Sequence, residues 1–176
     1  MKSILSTKKL TSAQKNLILG AGFSVVEYDA IHIEFLDVEF PKNLENLIFT
    51  SKNGVQAFLK TQPDLNIETF SCFCVGSKTE SSLIKKGLNV AKTAQNAADL
   101  ADFIVKNYKN THFTFFCSAI RRDELPDCLT KNQVSFEEIV CYKTKSNPQE
   151  FKQEFDAILF FSPSGVQSFS AVNHFK

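Results

Sequence analysis

Residues 47–58 read LIFTSKNGVQAF, and residues 158–169 read ILFFSPSGVQSF. Each starts as an apolar run of strand type, passes through a Ser-rich turn and continues with helical spacing. Laid over one another with Leu47 on Ile158, a shift of 111, they share six residues. These are Phe49/Phe160, Ser51/Ser162, Gly54/Gly165, Val55/Val166, Gln56/Gln167 and Phe58/Phe169. The same shift lays residues 4–7 (ILST) on 115–118 (FFCS), and 23–25 (FSV) on 134–136 (VSF). One gapless shift that matches strand with strand points to an internal duplication.

Outward from these copies, short apolar runs alternate with helical periods. Strands are predicted at 3–6, 23–28, 47–50, 72–75, 88–91, 113–117, 134–140 and 156–161. Helices are predicted at 12–22, 53–60, 79–86, 97–108 and 122–131, with another starting at Gly165. Residues 30–42 read as extended and mixed. Ala13, Leu17 and Ile18 give the first helix one apolar face, and Leu100, Phe103, Ile104 and Tyr108 stripe the helix at 97–108. Asn96 caps that helix, and Gly87 stops the one before it. Such alternation, with short apolar strands, is the pattern of parallel sheets covered by helices. These sheets bind ligands beyond the C-terminal ends of their strands. The turns there are residues 6–8, 50–53, 75–79, 117–118 and 162–164. They are rich in Ser, Thr and Lys, and each is expected to open a helix whose N–H groups face the ligand.

The duplication also organises the chain. Residues 45–141 hold five strands, enough for a sheet of their own. The two N-terminal strands then share a second sheet with residues 156–161. The reading is an α/β fold of two similar, swapped α/β/α domains with parallel sheets. Residues 1–34 and 145–176 form one domain and residues 45–141 the other. Residues 35–44 and 142–148 form a two-stranded linker, a hinge beside a cleft. The segment 72–111 has no second copy before Lys176, so the repeat predicts about 45 further residues in a full-length protein. The N/C-terminal domain is expected to be incomplete in this chain.

Composition removes other classes. The chain has 176 residues, 43% hydrophobic and 22% charged, with a formal net charge of +1. That excludes a disordered polyelectrolyte and argues against a general nucleic-acid binder. No run approaches the roughly 20 apolar residues of a membrane span, and the N-terminus lacks a signal-type apolar stretch. Five cysteines lie at 72, 74, 117, 128 and 141 without a CxxC pair. Most fall inside apolar runs, as buried reduced thiols of a cytoplasmic protein do. His32, His112 and His174 make no metal spacing with them. Gly20-Ala21-Gly22 ends a helix and lacks the third glycine of a dinucleotide loop. Ser164 sits in Ser-Pro-Ser-Gly, which is no nucleophile elbow.

The ordered motifs resemble the uroporphyrinogen-III synthase family over nearly the whole chain. They are Ile48-Phe49-Thr50-Ser51 with Val55, Val75-Gly76 before Thr79, residues 96–100, and the Leu125-Pro126 helix. Val140-Cys141-Tyr142-Lys143-Thr144 and residues 160–166 (FFSPSGV) complete the set. The resemblance implies two swapped α/β domains on a two-stranded linker, and no metal or organic cofactor. It implies a monomeric, cytoplasmic enzyme that acts on a small molecule, with no nucleic-acid or membrane partner. The reaction is cyclisation of the linear tetrapyrrole hydroxymethylbilane to uroporphyrinogen III, with loss of water and inversion of ring D. Departure of the terminal hydroxyl leaves an azafulvenium-type electrophile. Attack by the substituted carbon of ring D gives a spiro intermediate that reopens and recloses. The protein then acts mainly by holding the substrate folded, with one acid to assist the leaving hydroxyl.

Tyr142 matches the family's cleft tyrosine and is the candidate acid; its other reading is a residue that packs the linker. By family chemistry the substrate carries four acetates and four propionates. Candidates to hold them are Thr50, Ser51, Lys52, Asn53, Gly76, Ser77, Lys78, Thr79, Ser118, Arg121, Arg122, Ser162, Pro163, Ser164 and Gly165. Hydroxyls and helix-start N–H groups can donate to carboxylates, and Lys8, Lys52, Lys78 and the only two arginines can supply charge. The Ser and Thr are equally good helix caps, and surface lysines are commonly solvated. A folded but inactive fragment, or a non-catalytic ligand-binding α/β module, is the alternative function.

Overall fold

A computed structural model describes residues 2–41, 43–61 and 69–174. Strands β1 (Ser3–Ser6), β2 (Ser24–Glu27), β3 (Ile31–Phe35), β4 (Asn46–Phe49) and β5 (Ser71–Val75) come first in the chain. They are followed by β6 (Asn89–Ala94), β7 (Phe113–Ser118), β8 (Phe136–Ser146) and β9 (Ala157–Leu159). The helices are α1 (Ser12–Gly20), α2 (Lys52–Thr61), α3 (Ser77–Ile84), α4 (Ala97–Asn107), α5 (Glu124–Lys131) and α6 (Pro163–Ser170). The chain divides into two compact units, residues 1–33 with 144–176, and residues 34–143.

The larger unit is built on a six-stranded sheet of order β3-β8-β7-β4-β5-β6, and the pairs from β8 to β6 are parallel. Its core strands are apolar on both faces because helices cover both. β7 shows the rule, with Phe113 to Cys117 all buried. Phe113, Phe115 and Cys117 join Ile48 and Phe73 under Leu100, Ala101 and Ile104 of α4 and Leu125 and Leu129 of α5. Phe116 stacks on Phe49 at 5.2 Å and meets Phe58 of α2 edge-on at 5.0 Å. Each fully buried Phe contributes about 1.5–3 kcal/mol, which explains why this Phe-rich composition suits a parallel sheet. α2 approaches β7 closely at Gly54, where a Cβ would stand 3.1 Å from the Phe116 carbonyl oxygen.

The smaller unit holds a parallel sheet of order β2-β1-β9. Leu5, Tyr28, Ala30 and Phe169 form its core, with Val26, Phe151, Phe155, Ile158 and Phe160 against them.

Three details differ from the sequence reading. First, α1 buries no residue: Leu17 is 75% exposed, and its caps hold it instead. Thr11 accepts from the Gln14 N–H while Gln14 reaches back to the Thr11 N–H, a capping box that needs no apolar face. Second, the helix read from residue 122 begins at Glu124, so the turn after β7 does not open straight into a helix. Third, the repeat is not gapless. Leu5 pairs with Val26 and Ile158; the shift of 111 carries those partners to Glu137 and Leu47. The residue paired with both of these is Thr114, not Phe116. β1 therefore corresponds to β7 two residues earlier than the sequence match implies. A slip of two keeps every side chain on its own face, so the hydrophobic pattern does not report it.

Candidate active site

In the larger unit the chain runs outward from β4 through β5 to β6, then returns to β7 and β8 on the other side of β4. The strand order reverses between β4 and β7, and a crevice opens there at the C-terminal strand ends. A cavity of about 370 Å³ lies at that place. Thr50 and Ser51 follow β4 and line it; Ser118, Ile120, Arg121 and Arg122 come from the end of β7 and its loop; Tyr142 comes from β8. Gln95 and Asn96 close one side, and Glu124 and Leu125 of α5 another.

Tyr142 reaches this cavity through an irregularity. Cys117 pairs with Val140, but the next residue, Ser118, pairs with Tyr142. Cys141 is the extra residue of a β-bulge, which re-aims the side chain that follows it. Tyr142 is 7% exposed. Burial pushes its phenol above the ordinary value; the Ser51 hydroxyl pulls it down, the Cys141 and Cys117 thiols push it up, and the Ser118 hydroxyl pulls it down least. Those thiols are themselves pushed up by burial, Cys117 to about 11 and Cys141 to about 12, so they stay protonated and uncharged at neutral pH.

The hydroxyls serve the backbone as well. Ser51 Oγ accepts the Asn53 N–H at 3.1 Å, and Ser118 Oγ accepts the Ile120 N–H at 3.4 Å. The two arginines differ in role. Arg121 donates to Glu138 at 2.6 Å and also to Asp123, two carboxylates that spend its charge. Arg122 is exposed and lines the same cavity, and among the described residues no carboxylate lies within ion-pair distance of it.

Of the residues singled out from sequence, Thr50, Ser51, Ser118, Arg121, Arg122 and Tyr142 meet at one cavity. Lys52 and Asn53, the first residues of α2, do not line it. Gly76, Ser77, Lys78 and Thr79 do not line it, although Val75 at the end of β5 does; Gly76 (φ +81°) turns the chain into α3, and Thr79 is buried. Ser162, Pro163, Ser164 and Gly165 belong to the smaller unit, where Ser162 Oγ caps α6 by accepting the Gly165 N–H at 3.1 Å. Gln95, Glu124 and Ile120 were not singled out. The reversal of strand order was the signal that could have found them, but it needs the sheet order.

A parallel α/β scaffold, with hydroxyl and guanidinium donors around one buried phenol, suits a polyanion that must meet a single weak acid. Solved structures of one fold class share this architecture. The uroporphyrinogen-III synthetase of Helicobacter pylori matches with a TM-score of 0.74 and 16% identity, over 100% of this chain and 80% of that one. Two crystal forms of the uroporphyrinogen III synthase of Thermus thermophilus match over 84% of this chain and 64% of theirs. One is a triple mutant, with a TM-score of 0.57 and 13% identity; the other is the wild type, at 0.50 and 15%. At such identities the likeness is one of fold. The chain spans less than two thirds of the Thermus protein. No curated protein matches the sequence.

The family is shown by sequence. The family model described as uroporphyrinogen-III synthase HemD matches residues 12–174, and the chain belongs to that family. Its class is that of a cyclising lyase of tetrapyrrole biosynthesis. Among the described residues no helix is long and apolar enough to cross a membrane.

Proposed function

We propose that this chain closes hydroxymethylbilane to uroporphyrinogen III with Tyr142 as the acid. The observation that carries the reading is the buried Tyr142 phenol beside Ser51 and Ser118, at the β4/β7 crevice of a member of this family. A phenol held above its ordinary value is protonated throughout the neutral range and arrives as a donor. It gives its proton to the terminal hydroxyl, which leaves as water. The substituted carbon of ring D bonds to the electrophile left behind, and reopening and reclosure invert the ring. A pyrrole carbon finally releases a proton and the phenol is restored, so only water is lost. Most of the selectivity comes from holding the substrate in the conformation that closes with inversion.

Arg122 and Thr50 are the proposed carboxylate contacts at this cavity, and Ser51 and Ser118 are assigned to the acid instead. Lys52, Asn53 and residues 76–79, and separately residues 162–165 of the smaller unit, are proposed as further contacts. The crossings at 35–44 and 142–148 are proposed as the hinge of a two-domain protein, at work in the cytoplasm as a monomer. The test is product isomer composition. Hydroxymethylbilane is generated in situ, this chain is added, and the oxidised porphyrins are separated by chromatography. The expected result is excess III isomer over the spontaneous I isomer. Product of isomer I alone overturns the proposal in favour of an inactive or purely binding chain.

A further inference from the structure

The Tyr142 phenol shares its cavity with two hydroxyls, those of Ser51 and Ser118, whose oxygens are already engaged. Ser51 Oγ, at the start of α2, accepts the Asn53 N–H, and Ser118 Oγ, at the end of β7, accepts the Ile120 N–H. A hydroxyl has one proton to give, and with a backbone N–H on its oxygen that proton points elsewhere. All three residues line one cavity and Ser118 is the register partner of Tyr142, which leaves Tyr142 Oη as an acceptor open to both.

From this arrangement we infer that Ser51 and Ser118 are positioning residues that donate to Tyr142 Oη and turn its own O–H into the cavity. With two donors on the phenolic oxygen, the phenol's hydrogen has only the open side left. Both serines then stabilise the phenolate as the proton leaves, which is how a weak acid is made to deliver. The inference rests on the reading of Tyr142 as the acid only for its catalytic consequence; the hydrogen-bond arrangement stands without it.

Other groups around the phenol do not supply these donors. Cys141 precedes it on β8, Cys117 faces it from β7, Arg121 and Arg122 lie in the β7–α5 loop, and Glu124 starts α5. The thiols are neutral near pH 7, and Arg121 is held by Glu138 and Asp123. β4, β5 and α4 bring no titratable side chain to the cavity.

The experiment uses the intact chain with Tyr28→Phe and Tyr108→Phe, which leaves Tyr142 as the only tyrosine of three. Tyrosinate absorbance is followed as pH rises, and the phenol C–O stretch is recorded at neutral pH, where folding is secure. Ser51→Ala and Ser118→Ala are each expected to raise the titration midpoint by about one pH unit. Each also shifts the C–O stretch toward that of a phenol accepting fewer bonds, while Ser→Thr restores both readings. The alkaline limb of III-isomer formation moves in the same direction. An unmoved midpoint and stretch in the double alanine variant overturn the inference. If both move while Tyr142→Phe leaves III-isomer formation intact, the donors are established and the acid role of Tyr142 falls.

Discussion

Ser118 stands opposite Tyr142 because β8 carries one residue more than β7 at that step. In an unbroken ladder Cys141 would take the place opposite Ser118, and the phenol would turn to the other face. The site therefore depends on a backbone irregularity as much as on side chains.

Tyr142→Phe keeps the ring in its buried setting and removes only the hydroxyl. Formation of the III isomer is expected to fall by about 10- to 100-fold, at or below the low end of the range for a lost general acid, because the hydroxyl also leaves unaided. The ratio of III to I product against time measures this. An unchanged rate would remove the residue from the chemistry.

The adjacent arginines are expected to separate in kinetics. Arg122 has its charge to spend on a substrate carboxylate, so Arg122→Gln raises KM several-fold with little change in kcat. Arg121 spends its charge on Glu138 and Asp123, so Arg121→Ala costs about 1 kcal/mol of stability and lowers Tm by about 2–4 °C. Steady-state kinetics and a thermal melt of each variant decide; equal KM effects would contradict the division of roles.

Gly54 and Gly165 occupy matched places in the repeat but different surroundings. A Cβ at Gly54 meets backbone, the Phe116 carbonyl oxygen at 3.1 Å, which cannot swing aside. Gly54→Ala is expected to cost about 1–3 kcal/mol. At Gly165 the nearest atom is Ser162 Oγ at 3.4 Å, and Gly165→Ala should be near neutral, since alanine gains about 1 kcal/mol in helix propensity. Thermal melts of the two variants test the contrast.

Glu27 ties α1 to β2. It accepts from Lys15 Nζ and from the Leu10 N–H at 2.7 Å, and the Lys15 bond foremost holds its carboxyl below the usual value. A carboxyl with a depressed folded value adds stability that is present above the ordinary carboxylate range and lost as pH falls through the folded value. Acid titration of stability should therefore show a component in that range that Glu27→Gln abolishes. Identical acid profiles would contradict it.

The sheets were legible in the sequence because strands buried on both faces read as unbroken apolar runs, as Leu47 to Phe49 do. Helices packed on them were legible too, as at Leu100 and Ile104 of α4. α1 misled because its apolar residues do not meet a core, and its capping box, Thr11 with Gln14, lies in side chains that the apolar spacing overlooks. The candidate site was half legible. Thr50, Ser51, Ser118 and both arginines stand at strand ends, where parallel sheets keep their ligands. The convergence of Ser51 and Ser118 on Tyr142 was not, since it rests on β7 lying between β4 and β8 and on the bulge at Cys141. The two-residue slip between β1 and β7 was hidden for a related reason: an even displacement leaves alternation intact.

The bulge also gives β8 a reserve of length. Loss of either Val140 or Cys141 would draw the ladder straight and leave Tyr142 across from Ser118, whereas an added residue there would push the phenol out of line. Natural length variation at this point should accordingly run in one direction, toward shorter strands, a record of insertion and deletion that composition could never keep.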